Sequence, residues 1–202
     1  MKLIPSITLP QGKPGQYIVD GVADGYEAFA IARAAAEAAP DSPIVFVARD
    51  GQRLPEIAEA LAFAAPGLPV LELPAWDCLP YDRVSPGADA AARRLDAMAA
   101  MAALRKKPHR AVVLTTVNAL LQRMPPAEAI ESQTLRAKAG NQLEMKDLVA
   151  RLEMAGFDRV PTVRDVGEYA VRGGILDLYA PSSDEPIRLD FFGDTLESIR
   201  SF

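Results

Sequence analysis

The sequence is poor in the residues from which small catalytic and metal centres are built. Its 202 residues include one cysteine, Cys78, and one histidine, His109. A lone cysteine excludes an intramolecular disulfide and any cysteine-cluster zinc site. One histidine and one cysteine make neither a triad nor a metal set unless carboxylates from elsewhere join them, so structural roles are expected for both. Aromatic residues are scarce at 6%, and the apolar half of the chain is mostly Ala, Leu and Val. Positive charge is in the minority, 22 Lys and Arg against 27 Asp and Glu. A free-standing nucleic-acid binder carries a basic footprint, so that class is disfavoured, although a local basic patch remains compatible with the totals. No apolar run approaches the ~20 residues of a membrane span. The opening MKLIPSITLPQGKPG is broken by prolines before a continuous apolar segment can form, which argues against a signal peptide. A monomeric cytoplasmic protein without membrane contact, metal or cofactor is the expectation.

What is present is ordinary globular composition, long enough for one or two domains. Residues 1–133 alternate short apolar runs with Ala-rich helical stretches, the pattern of a parallel α/β sheet. Strands are expected at 17–20, 44–48, 70–73 and 111–115, with helices near 25–39, 54–65, 89–104 and 117–123. The third helix carries Leu95, Met98, Ala99 and Ala102 at one-sided spacing and ends in the basic cluster Arg105, Lys106, Lys107. Cations at a helix C-terminus suit the macrodipole; contact with DNA is the competing reading. The pattern changes after Met124-Pro125-Pro126. Residues 134–202 read as a small α+β domain with antiparallel strands. One helix carries Met145, Leu148, Val149 and Leu152 and stops near Gly156. Strands are expected at 173–179, 187–192 and 195–200, with a hairpin turn at Gly193-Asp194. The chain stops directly after the last of these, as an expressed piece of a longer protein would, with a natural end as the alternative.

The turn after the first expected strand has the location of a phosphate-binding loop without its chemistry. Such a loop needs small residues for close backbone approach, then a Lys and a Ser or Thr for phosphate and Mg²⁺. Here Gly21 is followed by Tyr26 where a second glycine is needed, Glu27 at the lysine position and Ala28 at the hydroxyl position. A carboxylate at that point has the wrong sign for a phosphate. A degenerate P-loop-like α/β domain and a plain strand–helix turn both predict no bound nucleotide.

Two segments carry a family resemblance. Residues 73–86, LPAWDCLPYDRVSP, lead into a helix containing Arg94-Leu95. Residues 167–179, GEYAVRGGILDLY, are joined by a short loop to 186–200, PIRLDFFGDTLESIR. In this order and separation, and with Val117-Asn118-Ala119-Leu120-Leu121-Gln122-Arg123 between them, they resemble the N-terminal, UvrB-like part of the bacterial transcription-repair coupling factors (Mfd). The resemblance spans about residues 15 to 202. UvrB itself is similar over the second domain but keeps an intact Walker loop and an aromatic-rich DNA-gripping hairpin, for which the stretch after Trp76 has no room.

Within 187–192 the period-2 pattern puts Ile187, Leu189 and Phe191 on one face and Arg188, Asp190 and Phe192 on the other. The first set suits a core. Phe192 on the polar face either tucks under a neighbouring element or projects as a binding anchor, Arg and aromatics being typical of binding hot spots. The resemblance favours projection. It implies a chain with no catalysis of its own that recruits UvrA for nucleotide excision repair, with UvrA contacted by Arg172, Arg188 and Phe192. It also implies a longer parent, an ATP-dependent DNA translocase whose other domains meet RNA polymerase and DNA. Replacing Arg188 or Phe192 is then expected to spare the fold. The competing class is a nucleotide-dependent α/β enzyme using Asp20, Asp50, Asp77 or Thr115-Thr116 at strand ends. A spacer domain is the third.

Overall fold

The computed structural model describes residues 15–16, 18–78, 83, 86–180, 183 and 185–202. The chain divides into two compact units, Met1–Gln133 and Thr134–Phe202.

In the first unit, α1 (Glu27–Glu37), β1 (Ile44–Ala48), α2 (Arg53–Ala64), β2 (Val70–Leu73), α3 (Ala88–Lys106), β3 (Val112–Thr116), α4 (Val117–Leu121) and α5 (Ala127–Gln133) follow in order. The strands form a parallel sheet in the order β1-β3-β2. β3 is buried along its whole length because both of its faces are covered, as its unbroken VVLTT run requires. Val112 and Leu114 pack with Ala28, Ile31 and Ala35 of α1 and Leu54, Ile57 and Leu61 of α2. Val113 packs on the opposite side with Leu73, Met98, Ala102 and Ile130.

Three expectations need correction here. Residues 18–20 form no strand, and Ile18 and Val19 are exposed; Tyr17 lies outside the described residues. With no strand beside it among the described residues to take its backbone hydrogen bonds, an apolar stretch of this length stays unpaired. On α3, Leu95 is half exposed, whereas Arg94 is fully buried. The helix turns its preceding residue inward because that guanidinium satisfies two main-chain carbonyls. Finally, a helix not expected from the sequence, α5, begins directly after Pro126, within the first unit as bounded at residue 133. Proline needs no N–H at a helix start, and the Pro126 carbonyl accepts from Ala129 and Ile130.

The second unit contains α6 (Met145–Met154), β4 (Asp158–Arg159), β5 (Glu168–Arg172), β6 (Ile175–Leu178), β7 (Ile187–Phe192) and β8 (Thr195–Ser201). They make one five-stranded sheet in sequence order. β4 and β5 are parallel, and every other pair is antiparallel. α6 ends in a Schellman arrangement: Gly156, at φ +85°, donates to the Glu153 carbonyl and Phe157 donates to Leu152. Leu148 and Leu152 pack on Tyr169, Leu176, Leu178, Leu189, Phe191 and Leu196. Tyr169 is fully buried and its hydroxyl donates to Glu153 Oε1 at 2.8 Å, tying sheet to helix. Glu168 accepts the main-chain N–H groups of Arg164 and Asp165, and the two bonds hold its carboxyl below the usual carboxylate range.

The strand expected over 173–179 is instead the second half of a hairpin. Arg172 pairs with Ile175 across a two-residue turn whose first residue, Gly173, has φ +59°. Gly174 has a different reason to be glycine. A Cβ there would lie 2.7 Å from the Phe191 carbonyl oxygen, on a backbone that β7 cannot easily move, since Phe191 also donates to the Gly174 carbonyl at 2.7 Å. Gly174→Ala is therefore expected to destabilise the second unit by about 1–3 kcal/mol, and a denaturant melt checks this.

Candidate functional site

The sheet of the second unit has one face against α6 and one face free of it. Strand alternation and register assign the residues of the free face. On β7, Ile187, Leu189 and Phe191 face the core, and Arg188, Asp190 and Phe192 take the opposite side. Register puts Asp177 opposite Arg188 and Ala170 opposite Asp177, which carries Arg172, two residues on, to the same face. Between β7 and β8 the register slips at Asp190/Phe191. Asp190 pairs with Ser198 and Phe191 with Leu196, so Glu197 is the extra residue of a bulge.

The exposures separate the two phenylalanines. Phe191 is 9% exposed and Phe192 is 77% exposed. Phe192 sits at the turn end of the β7–β8 hairpin, opposite Thr195 and next to Gly193, whose φ of +58° makes the turn. Among the described residues no element covers it.

The arginines converge on a carboxylate that sequence reasoning did not single out. Asp177 is a lone charge in the apolar strand Ile-Leu-Asp-Leu, and its side chain is 2% exposed. It accepts two bonds from Arg188, Nε to Oδ1 at 2.6 Å and Nη2 to Oδ2 at 2.7 Å. It takes a third from Arg172 Nη2 at 3.2 Å. Arg188 is further stacked by the Phe202 ring, with its guanidinium carbon 4.8 Å from the ring centroid. The Asp177 bonds raise its pKa above the ordinary arginine value. Its side chain is 28% exposed, against 57% for Arg172. Arg188 is thus partly a structural ion, and the expectation that its loss spares the fold does not fit this geometry. Removing one partner of a buried pair strands the other, here Asp177. A second pairing lies beside the first: Asp190 accepts from the Ser198 hydroxyl and from Arg200, also missed from sequence.

The loop over residues 21–28 has a different electrostatic character. Glu27 Oε2 accepts the Gly25 N–H at 2.8 Å, and Oε1 accepts from Arg53. Asp24, Glu27, Glu56 and Arg53 line an open depression of about 300 Å³. Three carboxylates to one guanidinium leave it negative. The basic cluster on α3 is also engaged, Arg105 with Glu128 and Lys106 with Glu131 of α5. Several of the strand-end candidates Asp20, Asp50, Asp77 and Thr115-Thr116 are engaged in local hydrogen bonds. Thr115 is fully buried and donates to the Leu73 carbonyl, Thr116 accepts from Ala119 at the start of α4, and Asp77 accepts the Gly87 N–H. The motif residues 79–82, 84 and 85 lie outside the described residues. No helix among the described residues is long and apolar enough to cross a membrane.

Comparison with known proteins adds two findings. Residues 135–202 match the family described as the UvrB interaction domain. The chain is also similar to transcription-repair-coupling factors. It is 42% identical to that of Myxococcus xanthus over 133 residues, 66% of this chain and 11% of the relative. It is 39% identical to that of Mycobacterium tuberculosis, over 64% of this chain and 11% of the relative. With that of Escherichia coli it shares 38% identity, over 66% and 11%. The chain spans about a tenth of the length of the curated relatives it matches.

Proposed function

We propose that this chain, whose second unit is a UvrB interaction domain and whose relatives are transcription-repair-coupling factors, is a docking module that recruits UvrA. The observation that carries this reading is Phe192, a 77% exposed aromatic on the same sheet face as Arg172 and Arg188. A solvated sheet face gains nothing from such a side chain, whereas a partner can use it as a desolvated anchor with the guanidinium groups gripping carboxylates around it. The module contributes recognition. Translocation on DNA and contact with RNA polymerase fall to the rest of a longer parent.

Phe192→Ala and Arg172→Ala are each expected to weaken UvrA binding by about 1–3 kcal/mol, or roughly 5- to 150-fold, with the fold intact. Calorimetric titration of purified UvrA with the 202-residue chain measures this. Unchanged affinity in both variants sinks the assignment. Arg188→Ala is the less clean probe, because it also strands Asp177.

The first unit acts without nucleotide in this reading, as a relic of a nucleotide-binding domain. The rival, a nucleotide-dependent enzyme, requires an anion site, and the depression beside Glu27 repels polyphosphate. A labelled ATP analogue with Mg²⁺ is expected to show no saturable binding at micromolar concentrations; binding lost on mutation of residues 21–28 would restore the rival.

A further inference from the structure

We infer that Asp177 is the positioning residue of the docking face, a buried carboxylate that fixes two guanidinium groups in the geometry that receives a carboxylate of the partner. The inference rests on the UvrA-docking reading and adds to it the residue that prepares the surface. Arg172 and Arg188 come from different strands and would repel each other if both simply projected into water. Asp177 lies between them and binds both, so the cluster presents two forks for one net positive charge. Arg188 is held on two sides, by the bidentate carboxylate and by Phe202. That leaves its Nη1 edge as the part able to meet a ligand, in a fixed plane. Arg172 makes a single longer contact and stays more exposed, so its fork is the more available. Ordering a long side chain on binding costs conformational entropy, and a side chain already held avoids that cost.

Positioning and simple charge attraction predict opposite signs for one substitution. Asp177→Asn keeps the shape and raises the net charge of the face by one. If the face attracted an acidic partner by charge alone, the variant would bind UvrA more tightly. If Asp177 positions the arginines, binding weakens about tenfold despite the added charge. Asp177→Glu keeps the charge but displaces the carboxylate by one methylene, and it should weaken binding similarly. The test measures UvrA affinity for the wild-type 202-residue chain and for Asp177→Asn, Asp177→Glu and Phe192→Ala, beside NMR exchange of the arginine Nε–H groups. In the wild-type chain the Arg188 Nε–H should exchange far more slowly than that of Arg49, whose side chain is 92% exposed. Wild-type or tighter affinity in either folded Asp177 variant overturns the inference, as does an Arg188 Nε–H exchanging as fast as Arg49. The exchange measurement decides the matter even if neither variant folds. A wild-type chain that does not bind UvrA defeats the docking reading itself. Binding that depends on Phe192 but not on Asp177 defeats only the positioning role.

Discussion

Replacing Phe191 by alanine is expected to remove about 3–5 kcal/mol of stability from the second unit, while the same change at Phe192 leaves its unfolding transition nearly in place. Adjacent residues of one strand are being asked to behave oppositely. Phe191 packs into the cluster formed by Leu148 and Leu152 of α6 with Tyr169, Leu176, Leu189 and Leu196. Deleting its ring removes buried apolar area and leaves a cavity that a five-stranded sheet cannot close by small shifts. Phe192 points the other way, so its truncation removes surface that is already in water. The only tryptophan, Trp76, is in the first unit and does not report on this transition. Amide hydrogen exchange over β5–β8 does. Equal protection loss in the two variants would mean that β7 does not hold the facing described here.

β7 was readable from sequence because it is the simplest kind of strand. It has one buried face and antiparallel neighbours on both sides, and a two-residue turn leads into β8, so strict alternation survives along its length. The parallel sheet was readable for a related reason: its apolar runs are separated by helices long enough for crossovers. Expectation failed where an element depends on what lies beside it. Residues 18–20 have strand-like residues but no partner strand among the described residues. Gly173-Gly174 do not open a strand; they close a hairpin, and only the approach of the Phe191 carbonyl shows why Gly174 tolerates no Cβ. Pro125-Pro126 marks a helix start as well as a boundary.

The candidate site divides in the same way. Phe192 and Arg188 follow from parity within one strand, but Asp177 does not. Its partners come from β5 and β7, and which residue stands opposite which is set by the turn geometry and register of the two pairings. A carboxylate between Leu176 and Leu178 was a legible anomaly, because a buried charge requires a partner. Its identity as the shared counter-ion of Arg172 and Arg188 required the register. That pairing also changes what a mutation at Arg188 measures, since removing the guanidinium strands Asp177 and disturbs the fold as well as any docking.

The first unit contains the inverse case, a buried guanidinium that sequence periodicity places on the margin of an apolar stripe. Arg94 is fully buried, donates to the Pro74 carbonyl at 2.6 Å and the Ala119 carbonyl at 3.4 Å, and lies 5.1 Å from the centroid of Trp76. Its Nε has no partner among the described residues, and desolvation lowers its pKa. The charge itself is therefore held at a cost. What the side chain contributes is packing and two satisfied carbonyls, joining the segment after β2 to α4. Arg94→Ala removes both contributions and is expected to destabilise the first unit by about 3 kcal/mol. Arg94→Met refills much of the volume, removes the desolvated charge and leaves only the carbonyls short of donors, so its loss should stay near 1 kcal/mol. Because Trp76 lies against the guanidinium, its fluorescence follows this transition directly. Equal losses for Ala and Met would assign the stability to the charge rather than to the side-chain body, and a negligible loss for Ala would mean that the segment after β2 holds its place without Arg94.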